Sequence, residues 1–284
     1  MYLDIPQSWL EAEIFLLPKG GDPTNPSNYR PIALLTSVYK VIATHTSNYL
    51  NDHIAKPGTL SDSQFGFRRK YQTTDHSIAL ASKRTLHPSS YAMYLDLAKA
   101  FNSVVLSTLF RLLAKAGFPQ EFIDMVKRLY RAPLDTPRVN GYRTASHLQF
   151  RGLRQGCPLS PSLFSLYIDP LLRMLEHSIR GDPTASLHAF ADDMAVHSTK
   201  LGTLQAAFEV MIKKAAPFGL VLNLGKSEVH AWGGAPQASI FVRHQGRVYT
   251  LSTLTKGGEP HTCYKYFGVF FFPNYPPHTM VAHY

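Results

Sequence analysis

The sequence predicts an α+β fold in which helices pack on an antiparallel sheet. The chain has 284 residues, which is enough for one large domain or two subdomains. Two short apolar runs, at residues 187–191 and 194–196, flank a pair of aspartates and predict a hairpin. From residue 91 onward the pattern is a strand, helices, this hairpin, a helix and a strand. That order is typical of a split β-α-β unit.

The first 90 residues contain short strand-like runs followed by helices. A strand is predicted within residues 10–17, and turn residues follow it. Thr36 or Ser37 caps a helix, whose predicted apolar face holds Val38, Val41, Ile42 and Leu50. A second helix is predicted over residues 74–86.

Helices dominate the middle of the chain. One is predicted over residues 106–115 and another from Pro119, with a buried stripe at Phe122, Met125, Val126 and Leu129. Residues 136–150 alternate like strands, around an Asn140-Gly141 turn.

The last third of the chain begins with a long predicted helix that starts at Pro161. A further helix is predicted over residues 203–215, and a last strand of the central sheet over residues 220–224.

Composition points to a polyanionic partner, because the net charge is +10. Cys157 and Cys263 fit no zinc spacing, and the thirteen histidines show no ligand-like spacing. No apolar run approaches the length of a membrane span, and early acidic residues argue against a secretory signal.

Three aspartates are the candidate catalytic residues. Asp192 and Asp193 lie at the predicted hairpin tip, where two carboxylates repel each other unless a cation is bound. Asp96 follows a predicted strand, and three carboxylates at adjacent strand ends can hold two divalent ions about 3.5–4 Å apart. The residues alone leave two alternatives open: a solvated Asp-Asp turn and a helix N-cap at Asp96.

Several motifs occur in a fixed order. They are Asp96-x-x-x-Ala100-Phe101, the run from Gly152 to Pro161 and Phe190-Ala191-Asp192-Asp193, with further blocks at residues 17–19, 28–35, 64–68, 219–228 and 266–268. Together they resemble reverse transcriptases, most of all those of non-LTR (LINE-type) retrotransposons. The match runs from about Pro6 to Gly268. Asn102 stands where these enzymes more often carry aspartate.

The resemblance implies the right-hand polymerase fold. Fingers would span residues 1–90 and the palm 91–272, with the tail 273–284 in place of a thumb, which would be largely missing. The implied activity is that of an RNA-directed DNA polymerase, a nucleotidyltransferase that uses an RNA template, a DNA or RNA primer and dNTPs.

The resemblance also implies cofactors and a location. Asp96, Asp192 and Asp193 would hold two Mg²⁺ ions, with Mn²⁺ as a possible substitute. We expect an intracellular protein, in the nucleus or cytoplasm of a eukaryotic host, with no membrane partner. The oligomeric state is left open.

Other site residues follow from the same motifs. Phe101 would lie under the incoming sugar, Gln155 and Gly156 against the forming base pair, and Lys226 near the departing pyrophosphate. The alternatives are a core phenylalanine, a plain turn and a solvated lysine.

Basic residues complete the predicted site. Lys19 and Arg30 would contact the triphosphate, and the predicted nucleic-acid contacts are Arg68, Arg69, Lys70 and Arg154. The alternative for each exposed charge is simple solvation.

Two rival functions remain open. A truncated relic of a retroelement would bind nucleic acid with weak or no catalysis. An RNA-directed RNA polymerase would share the palm and its metal chemistry, although Phe101 disfavours it.

Overall fold

The computed structural model describes residues 5–69, 71–131, 133–139, 141–255, 258–261, 263–266, 269–271 and 281–282. The chain forms two compact units, each built from two segments. The first consists of Met1–Thr59 and Phe101–Tyr167, and the second of Leu60–Ala100 and Ile168–Tyr284. The predicted fingers (1–90), palm (91–272) and tail (273–284) are functional divisions, and they stay a prediction.

The described residues form eight α-helices and fourteen strands. The helices are α1 (Gln7–Leu10), α2 (Ser37–Ile54), α3 (Thr73–Leu86), α4 (Ala100–Ser103), α5 (Leu106–Lys115), α6 (Gln120–Leu129), α7 (Ser160–Ile179) and α8 (Leu201–Lys214). The strands are β1 (Ala12–Pro18), β2 (Tyr29–Leu35), β3 (Ser90–Leu95), β4 (Leu134–Val139), β5 (Tyr142–Arg143), β6 (His147–Leu148), β7 (Ser186–Phe190), β8 (Asp193–Ser198), β9 (Glu228–Trp232), β10 (Ser239–His244), β11 (Arg247–Ser252), β12 (Tyr264–Tyr266), β13 (Val269–Phe271) and β14 (Val281–Ala282).

The sheet of the first unit has the order β2-β1-β4-β5, with β6 also on β4. β1 runs antiparallel to β2 and parallel to β4. The hairpin predicted around residue 140 is confirmed, because Val139 pairs with Tyr142 and Gly141 has a positive φ of 82°.

Helix α2 begins where the sequence predicted, since the Thr36 hydroxyl accepts the Tyr39 backbone N–H at 3.2 Å. The predicted apolar face is wrong at two positions. Val38 and Val41 are 42% and 70% exposed, whereas Tyr39 and Leu50 are fully buried. The reason is geometric: at 100° per residue, Tyr39 and Leu50 share a face that excludes both valines.

Arg154 lies in the core of the first unit, so the prediction that it contacts nucleic acid is wrong. Only 2% of the residue is exposed, and its guanidinium donates to the Asp135 carboxylate at 2.7 Å. It also lies over the Tyr39 ring, 5.8 Å from the centroid. Burial raises the pKa of Asp135, although the charge of Arg154 opposes that shift. The pair therefore holds β4 to the loop before α7.

The sheet of the second unit has the order β7-β8-β3-β9, and each neighbouring pair is antiparallel. All residues of the central strand β3 are buried. One face of the sheet carries a core cluster of Leu80, Ala81, Ala92, Tyr94, Ala195, Trp232 and Phe271, with Tyr264 packed against it. The predicted α+β class with an antiparallel sheet is confirmed.

The strand predicted over residues 220–224 is wrong. Only a single bridge joins Leu222 to Leu97, and the fourth strand of the sheet is β9. Val221 and Leu224 are 60% and 37% exposed, so this apolar run has no sheet face to bury. The chain instead turns after Asn223, whose carbonyl accepts the Lys226 and Ser227 N–H groups.

Three histidines of the second unit are buried and neutral. Burial lowers the pKa of His76 to about 4, that of His188 to about 3 and that of His197 to about 4. His76 and His188 meet edge to face, with ring centroids 5.7 Å apart. Burial in the folded chain therefore disfavours the cationic, doubly protonated form of these rings.

Part of the C-terminal prediction lies outside the described residues. Phe267, Gly268 and most of the tail 273–284 belong to that part, and Val281–Ala282 pairs with β13. Within the described ranges, no helix has the length and apolar character that crossing a membrane requires.

The buried ion pair yields a stability prediction. Arg154→Ala leaves the Asp135 carboxylate buried without its partner, and we expect the free energy of unfolding to fall by about 3–5 kcal/mol. The double variant Arg154→Met with Asp135→Leu should recover most of that loss. Urea denaturation measures both. Arg143→Ala, which breaks an exposed pair with Glu13, is the control and should cost at most about 1 kcal/mol. Equal losses at the two arginines would contradict a structural role for Arg154.

The buried histidines yield a pH prediction. An unfolded histidine titrates near 6.5, whereas folded His188 titrates near 3. Between those values the unfolded chain binds more protons, so this contribution to stability is complete above pH 6.5 and is lost as the pH falls. His188→Leu should flatten the pH dependence by up to about 1.4 kcal/mol per pH unit. Unfolding curves near pH 7 and about pH 5 measure it. The control is His177→Leu, at an exposed histidine. An equal flattening of the pH dependence in this control would refute its assignment to His188.

Candidate active site

The register of the second sheet brings two predicted catalytic aspartates together. Leu95 on β3 pairs with Met194 on β8, and Asp193 pairs with Phe190 across the hairpin. Asp96 is the next residue after Leu95, so the same antiparallel register sets it beside Asp193. Asp192 occupies the turn between β7 and β8.

The turn at the hairpin tip has an unusual backbone. Ala191 has φ of 56°, a left-handed conformation that is uncommon for any residue but glycine. The side-chain carbonyl of the fully buried Gln64 accepts the Ala191 N–H at 3.0 Å and the Gly66 N–H at 2.8 Å. A Cβ on Gly66 would lie 2.4 Å from the Ala191 nitrogen. Gln64 and Gly66 therefore support this turn at close range.

Asp96 is held by the segment that precedes β9. The Asn223 side chain donates to Asp96 Oδ2 at 2.9 Å, and the Asn223 N–H donates to the Asp96 carbonyl at 2.8 Å. The Ser227 hydroxyl accepts the Asp96 N–H at 3.1 Å and donates to the Asn223 carbonyl at 2.9 Å. These bonds fix both the backbone and the carboxylate of Asp96.

The carboxylates repel one another. Burial raises the pKa of Asp193 to about 7, and the charges of Asp192 and Asp96 add to the shift, while Lys226 opposes it. Burial also raises the pKa of Tyr264, with added contributions from Asp193 and Asp96. Among the described residues, the oxygens of the three aspartates do not all lie within 4.8 Å of one another.

This donor set fits a divalent cation. Carboxylate oxygens are the ligands that Mg²⁺ and Mn²⁺ prefer. A bound cation would offset the repulsion by Asp192 and Asp96 that adds to the effect of burial on the pKa of Asp193. Lys226 is exposed in the turn after Asn223, and its charge acts on Asp193.

The predicted sugar and base-pair contacts lie in the first unit. Phe101 is half-buried and stacks on Phe164, with ring centroids 4.7 Å apart, and its carbonyl accepts the Leu153 N–H at 2.8 Å. The Gln155 carbonyl accepts the Ala33 N–H at 2.7 Å. This loop borders a cavity of about 370 Å³.

Gly156 belongs to the same loop and has no room for a side chain. Its φ is +110°, and an added Cβ would lie 2.5 Å from the Ala33 carbonyl oxygen. The loop therefore packs directly on β2, which explains why glycine occupies this position.

The predicted basic contacts are divided between the two units. Lys19 and Arg30 are exposed near the turn between β1 and β2. In the second unit, Arg68 donates to the Ser61 and Gln64 carbonyls and lies over the Tyr71 ring. Nucleic-acid contacts by Arg68 and Arg69 stay a prediction, and Lys70 lies outside the described residues.

Three positioning residues were not predicted from the sequence: Gln64, Asn223 and Ser227. Gln64 lies within the recognised block 64–68, and Asn223 and Ser227 lie within the block 219–228, but neither block reveals which atoms these side chains contact. Asn223 lies in the run that was expected to be a strand. Only the folded chain brings these side chains to Asp96 and Ala191.

Proteins with related sequences come from transposable elements. The chain is 32% identical over 244 residues to "Transposon TX1 uncharacterized 149 kDa protein" of Xenopus laevis, covering 79% of this chain and 18% of that protein. It is 27% identical over 276 residues to "Retrovirus-related Pol polyprotein from type-2 retrotransposable element R2DM" of Drosophila melanogaster. That match covers 94% of this chain and 26% of the relative. The chain thus spans at most about a quarter of either relative.

Solved structures share the fold. The apo telomerase of Candida tropicalis, truncated from its C-terminal domain, superimposes with a TM-score of 0.63 at 11% identity, over 95% of this chain and 55% of that one. Telomerase of Candida albicans, in complex with a TWJ fragment of telomeric RNA, superimposes with a TM-score of 0.62 at 10% identity. That superposition covers 95% of this chain and 46% of the telomerase chain. The predicted polymerase fold of fingers and palm is confirmed.

The family itself follows from a match over most of the chain. Residues 17–271 match the family model described as "Reverse transcriptase (RNA-dependent DNA polymerase)". Together with the retrotransposon relatives, this match confirms the resemblance to the enzymes of LINE-type elements. The chain belongs to the reverse transcriptase (RNA-dependent DNA polymerase) family.

Proposed function

We propose that this chain is a catalytically competent RNA-directed DNA polymerase that extends a primer 3′-hydroxyl with dNTPs on an RNA template. One observation carries the proposal: three carboxylates lie together at the ends of β3 and β8, where burial raises the pKa of Asp193 to about 7 and the charges of Asp192 and Asp96 add to the shift. A relic without catalysis would have no reason to retain this repulsion, or the bonds from Asn223 that hold Asp96 in it.

Asp96, Asp192 and Asp193 would hold two Mg²⁺ ions, for which Mn²⁺ could substitute. Bound there, such ions supply Lewis acidity that activates the primer hydroxyl and neutralises triphosphate charge. The chain itself supplies orientation. Gln64 and Gly66 hold the turn that carries Asp192, and Asn223 with Ser227 fixes Asp96. Preorganised ligands of this kind lower the cost of assembling the site.

The remaining predicted residues take part by charge and shape. Lys226 would offset the charge of the departing pyrophosphate, and Lys19 and Arg30 would contact the triphosphate. Phe101 would exclude a 2′-hydroxyl, and Gln155 with Gly156 would contact the forming base pair. The stacking of Phe101 on Phe164 supports a fixed position for that ring.

Nucleic-acid partners are supported by charge and by relatives. A net charge of +10 favours a polyanion. One relative, 28% identical over 207 residues, is "RNA-directed DNA polymerase from mobile element jockey" of Drosophila melanogaster. We therefore propose an RNA template with a DNA or RNA primer as partners of this chain.

The carboxylate site is tested by Asp96→Asn, which preserves shape and removes a charged ligand. We expect primer extension with dNTPs to fall more than about 100-fold, because the lost charge acts on the transition state. Affinity for primer–template should change little, since phosphate contacts supply most of it. The exposed Asp62→Asn is the matched control and should extend normally.

The same assay separates the proposal from its rivals. Extension by Asp96→Asn at the wild-type rate would refute the three-carboxylate assignment. A wild-type chain that binds primer–template but extends with neither dNTPs nor NTPs would be the inactive relic. Extension with NTPs in preference to dNTPs would identify an RNA-directed RNA polymerase.

Sugar selection is tested by Phe101→Ala. Removing the ring opens space for a 2′-hydroxyl, so the ratio of ribonucleotide to deoxyribonucleotide incorporation should rise by about tenfold or more, as a contact worth about 1.4 kcal/mol would give. Single-nucleotide insertion kinetics measure that ratio. Phe110→Ala removes another half-buried aromatic ring and should leave it unchanged. An active Phe101→Ala variant with an unaltered ratio would make Phe101 a packing residue.

A further inference from the structure

Glu228, His230 and His261 of the second unit form a compact group of possible metal ligands. Glu228 and His230 lie two residues apart on β9, so their side chains share one face of the strand. His261 follows the bridge between Leu254 and Pro260. One ligand atom from each of the three residues lies within 4.8 Å of the others.

The hydrogen bond at the far side of His261 fixes its tautomer. His261 Nε2 lies 3.2 Å from the Ser252 carbonyl oxygen, which only accepts, so Nε2 carries a proton. In a neutral ring, Nδ1 then directs its lone pair at Glu228 Oε2, 3.4 Å away. Two acceptors face each other there, and a cation between them would turn repulsion into attraction.

His230 presents a second nitrogen to the same carboxylate oxygen. Its Nε2 lies 2.8 Å from Glu228 Oε2, and its ring stacks on His261 with centroids 4.8 Å apart. Because a carboxylate oxygen accepts, His230 Nε2 donates to Glu228 when no cation is bound. A cation at Nε2 would place the proton on Nδ1, which has no hydrogen-bond partner among the described residues.

The ligand types select the class of metal. Two imidazole nitrogens and one carboxylate oxygen are typical of Zn²⁺ sites, whereas Mg²⁺ prefers oxygen ligands alone. The bond from His261 Nε2–H to a backbone carbonyl is the outer contact that metal-bound histidines usually make. Side-chain exposures of 31% at Glu228 and 15% at His261 leave a path for an ion and a water ligand.

We propose that Glu228, His230 and His261 bind one Zn²⁺ ion, with water as the fourth ligand, at a site separate from the three aspartates. The ion would tie β9 to the segment at residues 258–261. Since Ser227 directly precedes β9 and holds the Asp96 backbone, the ion would also stabilise the support of Asp96. The proposal goes beyond the polymerase function and does not depend on it.

Metal titration of the whole chain tests the proposal. The protein is stripped with a chelator, supplied with excess Mg²⁺ to occupy the carboxylates, and titrated with Zn²⁺ by calorimetry and with Co²⁺ by visible absorption. We expect one Zn²⁺ per chain and an intense Co²⁺ spectrum typical of four-coordinate nitrogen and oxygen ligands. Asp192→Asn should bind the same single ion, because it alters only the other site.

Ligand variants give the second arm. His261→Ala and Glu228→Gln should each weaken Zn²⁺ binding more than about 100-fold, beyond the loss for an outer contact. His45→Ala, an exposed histidine on α2, is the matched control and should bind as the wild type does. Circular dichroism verifies that each variant is folded. If His261→Ala does not fold, the Zn²⁺ affinity of Glu228→Gln decides the result.

Two outcomes would overturn the site. One is folded wild-type protein that binds no Zn²⁺ in excess Mg²⁺, and the other is unchanged affinity in the folded ligand variants. Because no readout involves primer extension, either failure leaves the proposed polymerase function standing. Failure of extension likewise leaves the zinc result intact.

Discussion

The antiparallel pairing of β3 with β8 is the constraint on which the candidate site depends. It sets Leu95 opposite Met194, and thereby brings Asp96 beside Asp193. A slip of one residue would turn every side chain of a strand to the other face of the sheet. β3 is buried along its whole length, so its neighbours on both sides hold this register. The packing of β3 against its neighbours therefore keeps the like charges of Asp96 and Asp193 side by side.

The hairpin turn shows how local strain is compensated by long-range contacts. A left-handed backbone at Ala191 costs free energy for a residue with a Cβ. The buried side-chain carbonyl of Gln64 accepts the Ala191 N–H, and Gly66 has no Cβ that would collide with the Ala191 nitrogen. Both features favour the left-handed conformation at Ala191. The strain lies next to Asp192, where the backbone must present a carboxylate to its partners. Rigid support of this kind is typical of sites that bind charged ligands.

Elsewhere in the chain, buried polar groups follow two rules. A charge is paired when it is buried, as Arg154 is with Asp135 in the first unit. Ionisable rings without a nearby counter-charge stay neutral, as His76 and His188 do in the second unit. The three aspartates are an exception, because burial raises the pKa of Asp193 to about 7 and the like charges of Asp192 and Asp96 add to that shift. Such departures are expected where a site is built for a ligand.

The sequence by itself determined the elements with strong local signals. The Asp192-Asp193 hairpin and the helix cap at Thr36 follow from neighbouring residues, and the ordered motifs determined the family. Two predictions that depended on partners distant in sequence were wrong, the nucleic-acid contact at Arg154 and the strand at residues 220–224. Whether Arg154 faces solvent is decided by Asp135, and β9 takes the sheet position expected of residues 220–224.

Tertiary structure alone decided the contacts between residues far apart in the chain. It brought Gln64 to Ala191, Asn223 to Asp96 and His261 to Glu228. The reason is physical: turn chemistry and helix capping act over a few neighbouring residues, so a short stretch of sequence encodes them. A hydrogen bond or ion pair between distant residues forms only once sheet register and packing have fixed both backbones, and no local pattern records that.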